Sequence, residues 1–159
     1  MDEIEDKIEF LGNNIYESLF EVCVVYLQDN YSILLRNCNV LDFSTNFSNG
    51  SYVIFTIRGI SDEAFQTNNV SESSYIKIRD DCVSISVLDF NYTDNTPVIS
   101  YTNINGENFN ISSDIAHRRI EFEINFVLSE EYSKTNNKKI RKIVKKRIKN
   151  RWEILDIDD

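Results

Sequence analysis

The chain has little glycine (4 residues), one proline and one histidine. Four scattered glycines cannot build a phosphate-cradling loop, and neither a P-loop nor a G-x-G-x-x-G run is present. The lone histidine, His117, gives a Ser-His-Asp or Cys-His mechanism a single place to be built. It falls in Asp114-Ile115-Ala116-His117-Arg118-Arg119, read as a loop entering a strand, where a histidine is an ordinary polar residue. Cysteine is also sparse: Cys23, Cys38 and Cys82 are widely spaced and lack the paired spacing zinc requires. They read as reduced thiols serving as small hydrophobes. No apolar run approaches the roughly 20 residues of a membrane-spanning helix. The acidic start, Met1-Asp2-Glu3-Ile4-Glu5-Asp6, lacks an apolar signal region, so a cytoplasmic protein is expected. No metal or cofactor motif is visible, and the expectation is a protein that is not an enzyme.

What the chain does have is charge sorted by position. Residues 1–133 hold 7 Lys/Arg against 22 Asp/Glu, residues 134–152 hold 10 Lys/Arg and no acid, and residues 153–159 hold 4 acids and no base. The formal charges are −15, +10 and −4, which make the net charge of −9 a strongly dipolar distribution. Such a molecule points to association with a partner before small-molecule chemistry. At 159 residues and 42% hydrophobic content, it is long enough to bury a full core. Residues 1–133 are expected to form one domain, with a basic helix and acidic tail over 134–159 packed on it.

The body reads as strands. Leu19–Leu27, Tyr31–Arg36, Asn39–Phe43, Tyr52–Arg58, Tyr75–Arg79, Cys82–Phe90, Val98–Thr102, Asn108–Ile111 and Arg119–Leu128 are rich in Val, Ile, Phe and Tyr. Tyr75–Arg79 and Ile120–Phe126 alternate strictly, the period of a half-buried strand. Turn chemistry separates the runs at Gln28-Asp29-Asn30, Ser48-Asn49-Gly50, Arg79-Asp80-Asp81, Tyr92-Thr93-Asp94-Asn95 and Asn105-Gly106-Glu107. Ser61–Ser74 reads as the one long loop of the body, with a helical turn after Ser61-Asp62-Glu63. About nine short strands at hairpin spacing predict an all-β fold, an antiparallel β-sandwich.

After Leu128 the period changes. Ile140, Ile143, Val144, Ile148 and Trp152 form one helical stripe, and Lys138, Lys139, Arg141, Lys142, Lys145, Lys146, Lys149 and Arg151 cover most of the remainder. This amphipathic basic helix has three readings. Its stripe packs on the sandwich while its cations neutralise the acidic body; or Lys138, Lys142, Lys145 and Lys149 contact nucleic acid, against the repulsion of the body; or it meets a protein or anionic lipid with Trp152 as anchor.

Several short pieces occur in a familiar order. They are Ile8-Glu9-Phe10 followed by Gly12-Asn13-Asn14-Ile15, the Asp29-Asn30-Tyr31-Ser32 turn, Phe55-Thr56-Ile57-Arg58 running into Asp62-Glu63, and Phe90-Asn91-Tyr92-Thr93-Asp94-Asn95 before Val98-Ile99-Ser100-Tyr101. In these the chain resembles the poxvirus host-range family of small vaccinia-type factors. The resemblance implies a non-catalytic β-sandwich in the host cytoplasm. Loops at one edge would bind and inhibit a host interferon-induced antiviral restriction protein of the sterile-alpha-motif type. Carried over by position, the partner contacts are Gln28, Asp29 and Asn30; Ile60, Asp62, Glu63 and Phe65; and Tyr92, Asp94 and Asn95. The chain departs from the family pattern in that its first loop has no cation and its second offers only Ile60 and Phe65 as bulky groups. The alternative function is a bacterial immunity protein, an acidic module that neutralises a basic nuclease toxin.

Overall fold

The computed structural model describes residues 3–46, 53–68, 73–94, 98–102, 104–106, 108–112, 119–128, 138, 140, 142–144 and 153–155. For residues 3, 4, 98–102, 108–112 and 153–155 it describes the backbone alone. The first element is a helix that the sequence reading did not anticipate, α1 (Glu3–Asn14). Its stripe is short: Ile8, Leu11 and, immediately past its end, Ile15 are all buried. The acid-rich start hid that stripe. The backbone carries on past α1, where the Ile15 N–H donates to the Leu11 carbonyl at 2.8 Å.

Strands follow: β1 (Phe20–Tyr26), β2 (Tyr31–Asn46), β3 (Ile54–Ser61), β4 (Glu63–Asn68), β5 (Tyr75–Ile78), β6 (Asp81–Asp94), β7 (Val98–Thr102), β8 (Asn108–Ser112), β9 (Ile120–Leu128) and β10 (Glu153–Leu155). The fold is all-β, and every pairing is antiparallel except β10 with β2. The sandwich expected from the sequence is not confirmed. Strands β1, β5, β6, β9, β3 and β2 run in one path whose ends meet, because β1 also pairs with β2. The six close into a barrel, which removes the exposed edges an open sheet would leave.

Two long strands make the closure. The first half of β2 lies between β1 and β4, and its second half between β3 and β10. Likewise β6 pairs first with β5 and then with β9. Register shifts at Val40/Asp42 and Val87/Asp89 bend these strands where they change partners.

This corrects four expectations. Tyr31–Arg36 and Asn39–Phe43 are one strand, with Asn37 taking a left-handed φ of 53° between them. Tyr92 and Asp94 lie on β6 and not in a turn. Ser61–Ser74 is not one loop, since Glu63–Asn68 is strand, and the same strand replaces the helical turn expected after Ser61. The acidic tail contains β10. The β7–β8 hairpin does form as read, around Gly106 at φ 83°. The Ser48-Asn49-Gly50 turn and His117 lie outside the described residues.

The core follows the strict alternation. Phe55, Ile57, Ile120, Ile124 and Phe126 are fully buried, while Glu121 and Arg58 between them are exposed. Phe55 lies between Phe43 (ring centroids 6.0 Å) and Phe126 (5.6 Å). Ile8, Leu11 and Ile15 of α1 join the same cluster, as do Ile140, Ile143 and Val144. Lys138, Ile140 and residues 142–144 are helical, with Lys138 and Lys142 exposed. The amphipathic stripe thus appears where the described residues reach; Lys145, Ile148, Lys149 and Trp152 lie outside them. Among the described residues no helix is long and apolar enough to cross a membrane.

Candidate interaction surface

The corner between β3 and β4 gathers more of the expected contact residues than any other described place. β4 continues the line of β3 along β2, with Asn39 opposite Ile60 and Arg36 opposite Glu63. The interruption between them is held by Ser61. Its hydroxyl donates to the Arg36 carbonyl at 2.5 Å and accepts from the Glu63 N–H at 3.2 Å. Opposite Asp62, the Asn37 amide donates to its carboxylate at 3.1 Å. Asparagine tolerates the left-handed backbone of position 37, which lets β2 bulge there without strain.

This corner leaves a crevice of about 370 Å³ lined by Leu19, Asn37, Asn39, Ile60, Ser61 and Asp62. Leu19, 53% exposed, forms one lip. Further along, Phe65 is 41% exposed and carries the Arg36 guanidinium 5.3 Å above its ring. Arg36 in turn approaches the Glu21 carboxylate at 3.6 Å. The result is a half-apolar strip, Leu19 to Ile60 to Phe65, bordered by Asp62, Glu63 and Glu21.

Beside it, on the outer face of β2, β3, β9 and β6, lies a smaller depression of about 270 Å³. Leu41, Arg58, Gly59, Asn91, Thr93, Glu121, Phe122 and Glu123 line it. Arg58 is paired with Asp42 at 2.5 Å and Arg119 with Glu121 at 3.2 Å, so the cations here are matched by carboxylates. Gly59 is required: a Cβ would lie 2.6 Å from the Asn39 carbonyl oxygen and 2.7 Å from the Phe122 ring.

The other expected contacts divide. Asp94 pairs with Ile120, which pairs with Ser61, so it sits two strand spacings, about 10 Å, from the corner. Gln28, Asp29 and Asn30 are exposed in the β1–β2 turn, at the far end of the β2 segment that leads to Asn37, roughly 20 Å away. Tyr92 pairs with Phe122, which pairs with Gly59, so its backbone lies at the same two strand spacings from β3. Burial raises the Tyr26 hydroxyl pKa most, and Tyr31, Tyr92 and Asp89 add to the shift, so Tyr92 is within electrostatic reach of Tyr26. Tyr26 stacks on Tyr31 (4.8 Å) and Phe90 packs beside Tyr92 (5.7 Å). Asn95 lies outside the described residues. One edge was expected; the β3–β4 corner brings together Ile60, Asp62, Glu63 and Phe65, and the other expected contacts among the described residues lie apart from it.

Leu19, Asn37 and Asn39 line the crevice and were missed. Two asparagines flanking Cys38 within an otherwise apolar run are the available signal. Cys38 itself is buried beneath the corner, its Sγ donating weakly to the Leu35 carbonyl at 3.5 Å. Burial pushes its thiol up to about 12, against a smaller lowering from Ser61. Among the described residues no group of His, Cys, Asp and Glu is placed to hold a metal ion.

No protein-family model, no curated protein and no solved structure matches the chain. The likeness to poxvirus host-range factors therefore stands on its short residue matches alone.

Proposed function

We propose that the protein acts stoichiometrically, by binding another protein through the β3–β4 corner, and that its partner is a host interferon-induced antiviral restriction protein. The observation that carries the binding part is the crevice with two exposed apolar groups, Leu19 and Phe65, and the half-buried Ile60 at or beside it, rimmed by acids. A few apolar anchors excluded from water by a polar rim is how most protein interfaces obtain their energy. The identity of the partner rests on the host-range resemblance. No catalytic role is given to any residue.

The test is a tagged pull-down from interferon-treated mammalian cells, comparing wild type with a Leu19→Asp/Ile60→Asp variant of unchanged melting temperature. One dominant antiviral protein, captured by wild type and lost in the variant, is the expected result. Capture of no antiviral protein, or capture indifferent to the variant, counts against the proposal. The second reading, neutralisation of a basic nuclease toxin, draws support from the −15 charge of residues 1–133 and from Glu121 and Glu123 in the adjoining depression. It predicts capture of a cationic nuclease with a steeply salt-dependent on-rate.

A further inference from the structure

β4 stands outside the barrel. β9 covers the far side of β3 only as far as the Ser61–Ile120 pair. Past that point β4 runs on for 6 residues beside β2, and among the described residues no strand pairs with its other edge. Six residues at about 3.3 Å each span roughly 20 Å. In an antiparallel pair every second residue turns its N–H and C=O away from the partner, so the outer edge carries a row of donors and acceptors. Edge strands are commonly guarded by proline, lysine or a bulge. Glu63–Asn68 (EAFQTN) has neither proline nor lysine, and its pairing with β2 runs without a register shift.

Charge narrows what could add there. Asp62 and Glu63 mark the start of the strand, Glu21 borders it, and the Arg36 guanidinium is engaged by Glu21 and by the Phe65 ring. A second copy would bring a chain of net charge −9, with −15 over residues 1–133, against this acidic body. An extended segment bearing Lys or Arg meets opposite charge instead.

We infer that the outer edge of β4 is a strand-addition site for an extended, cation-bearing segment of a protein partner. The inference rests on the protein-binding reading above and names its mode. Main-chain hydrogen bonds along β4 give the added strand its affinity, and alternate side chains meeting Asp62, Glu63 and the Phe65 ring select basic sequences.

The probe is a nonapeptide alternating Lys and Val, titrated into the isotopically labelled full chain, with a Glu/Val peptide as control. Shifts and slowed amide exchange confined to residues 63–68 and their neighbours are expected with the Lys peptide. The Glu63→Lys/Gln66→Lys variant, in which half-buried Glu63 and exposed Gln66 are replaced by guards, should weaken binding about tenfold or more at an unchanged melting temperature. Four results would overturn the inference: the outward-facing β4 amides already protected in the free protein, peptide shifts elsewhere only, equal binding of the Glu peptide, or self-association through β4. In the pull-down, loss of the partner with Leu19→Asp/Ile60→Asp but not with Glu63→Lys/Gln66→Lys sinks strand addition alone. Loss with neither variant sinks the protein-binding reading as well.

Discussion

β3 and β4 follow one neighbour in one register, yet they meet opposite fates. Each carries a phenylalanine. Phe55 on β3 is fully buried between the rings of Phe43 and Phe126, whereas Phe65 on β4 is 41% exposed with Arg36 as its cover. The two strands differ in what lies on their second side: β9 pairs with β3, and among the described residues nothing pairs with β4. A strand with two neighbours must match its side chains to a closed interior, and its composition is then fixed by packing. A strand with one neighbour is released from that demand. Packing in this molecule therefore concentrates on one side of Ser61, and, among the described residues, an unpaired edge lies on the other.

The comparison breaks most plainly at the two phenylalanines. Phe55→Ala removes the central ring of a three-ring stack and leaves a cavity the barrel cannot collapse around, with an expected cost of about 3–5 kcal/mol in chemical denaturation. A loss under about 1 kcal/mol would mean that the β3–β9 side is not the core of the fold. Gly59→Ala comes next. Its new methyl meets the Asn39 carbonyl oxygen, which is backbone, and the Phe122 ring, which also packs edge-on to Phe20, so neither neighbour moves freely. About 1–3 kcal/mol of destabilisation is expected, with perturbed chemical shifts at Asn39 and Phe122.

How far this could be read beforehand varies by element. β9 was legible almost to the residue, because Ile120-Glu121-Phe122-Glu123-Ile124 alternates without a flaw and one face of it is solvent. α1 was not, since only Ile8 and Leu11 of its described side chains are buried core, too few for a helical period to stand out against five acids nearby. The barrel was illegible for another reason. Closure depends on β2 and β6 each serving two partners in succession, and a run of strand-forming residues says nothing about where its partner changes. Asn37 looked like a break between two strands because asparagine is a turn residue; here it supplies a local left-handed kink inside one. The grouping of the residues expected to share one edge was half legible. Ile60, Asp62, Glu63 and Phe65 come together, but Gln28–Asn30 are carried to the other end of the same β2 segment, a separation only the register reveals.

A pH series sharpens the same contrast beneath the corner. The Cys38 thiol ordinarily titrates near 9.0 and is pushed up to about 12 by burial. Above pH 9 the unfolded chain gives up this proton while the folded chain keeps it, so deprotonation favours unfolding. The stability tied to Cys38 is thus complete below pH 9 and is lost as the pH rises towards 12. Tyrosines and lysines titrate in the same range, so the readout is a difference: Cys38→Ala should show a shallower alkaline fall in melting temperature than wild type. Equal slopes would place the thiol in water.

The smallest expected effect is the most telling for β4. Phe65→Ala deletes an aromatic ring that touches Arg36 and little of the core, and exposed cation–π pairs are worth about 0.5–1 kcal/mol. Melting should therefore shift only slightly, while capture of a partner through the corner should fall steeply, because an exposed aromatic beside a crevice is the type of residue that dominates an interface. A large stability loss from Phe65→Ala would show that β4 is packed as tightly as β3, and the distinction between the two strands would disappear. A small loss in stability with no loss in capture would leave β4 an ordinary solvated edge. Only the combination of a nearly silent thermal unfolding curve and lost binding makes the strand that packing left free the strand that function uses.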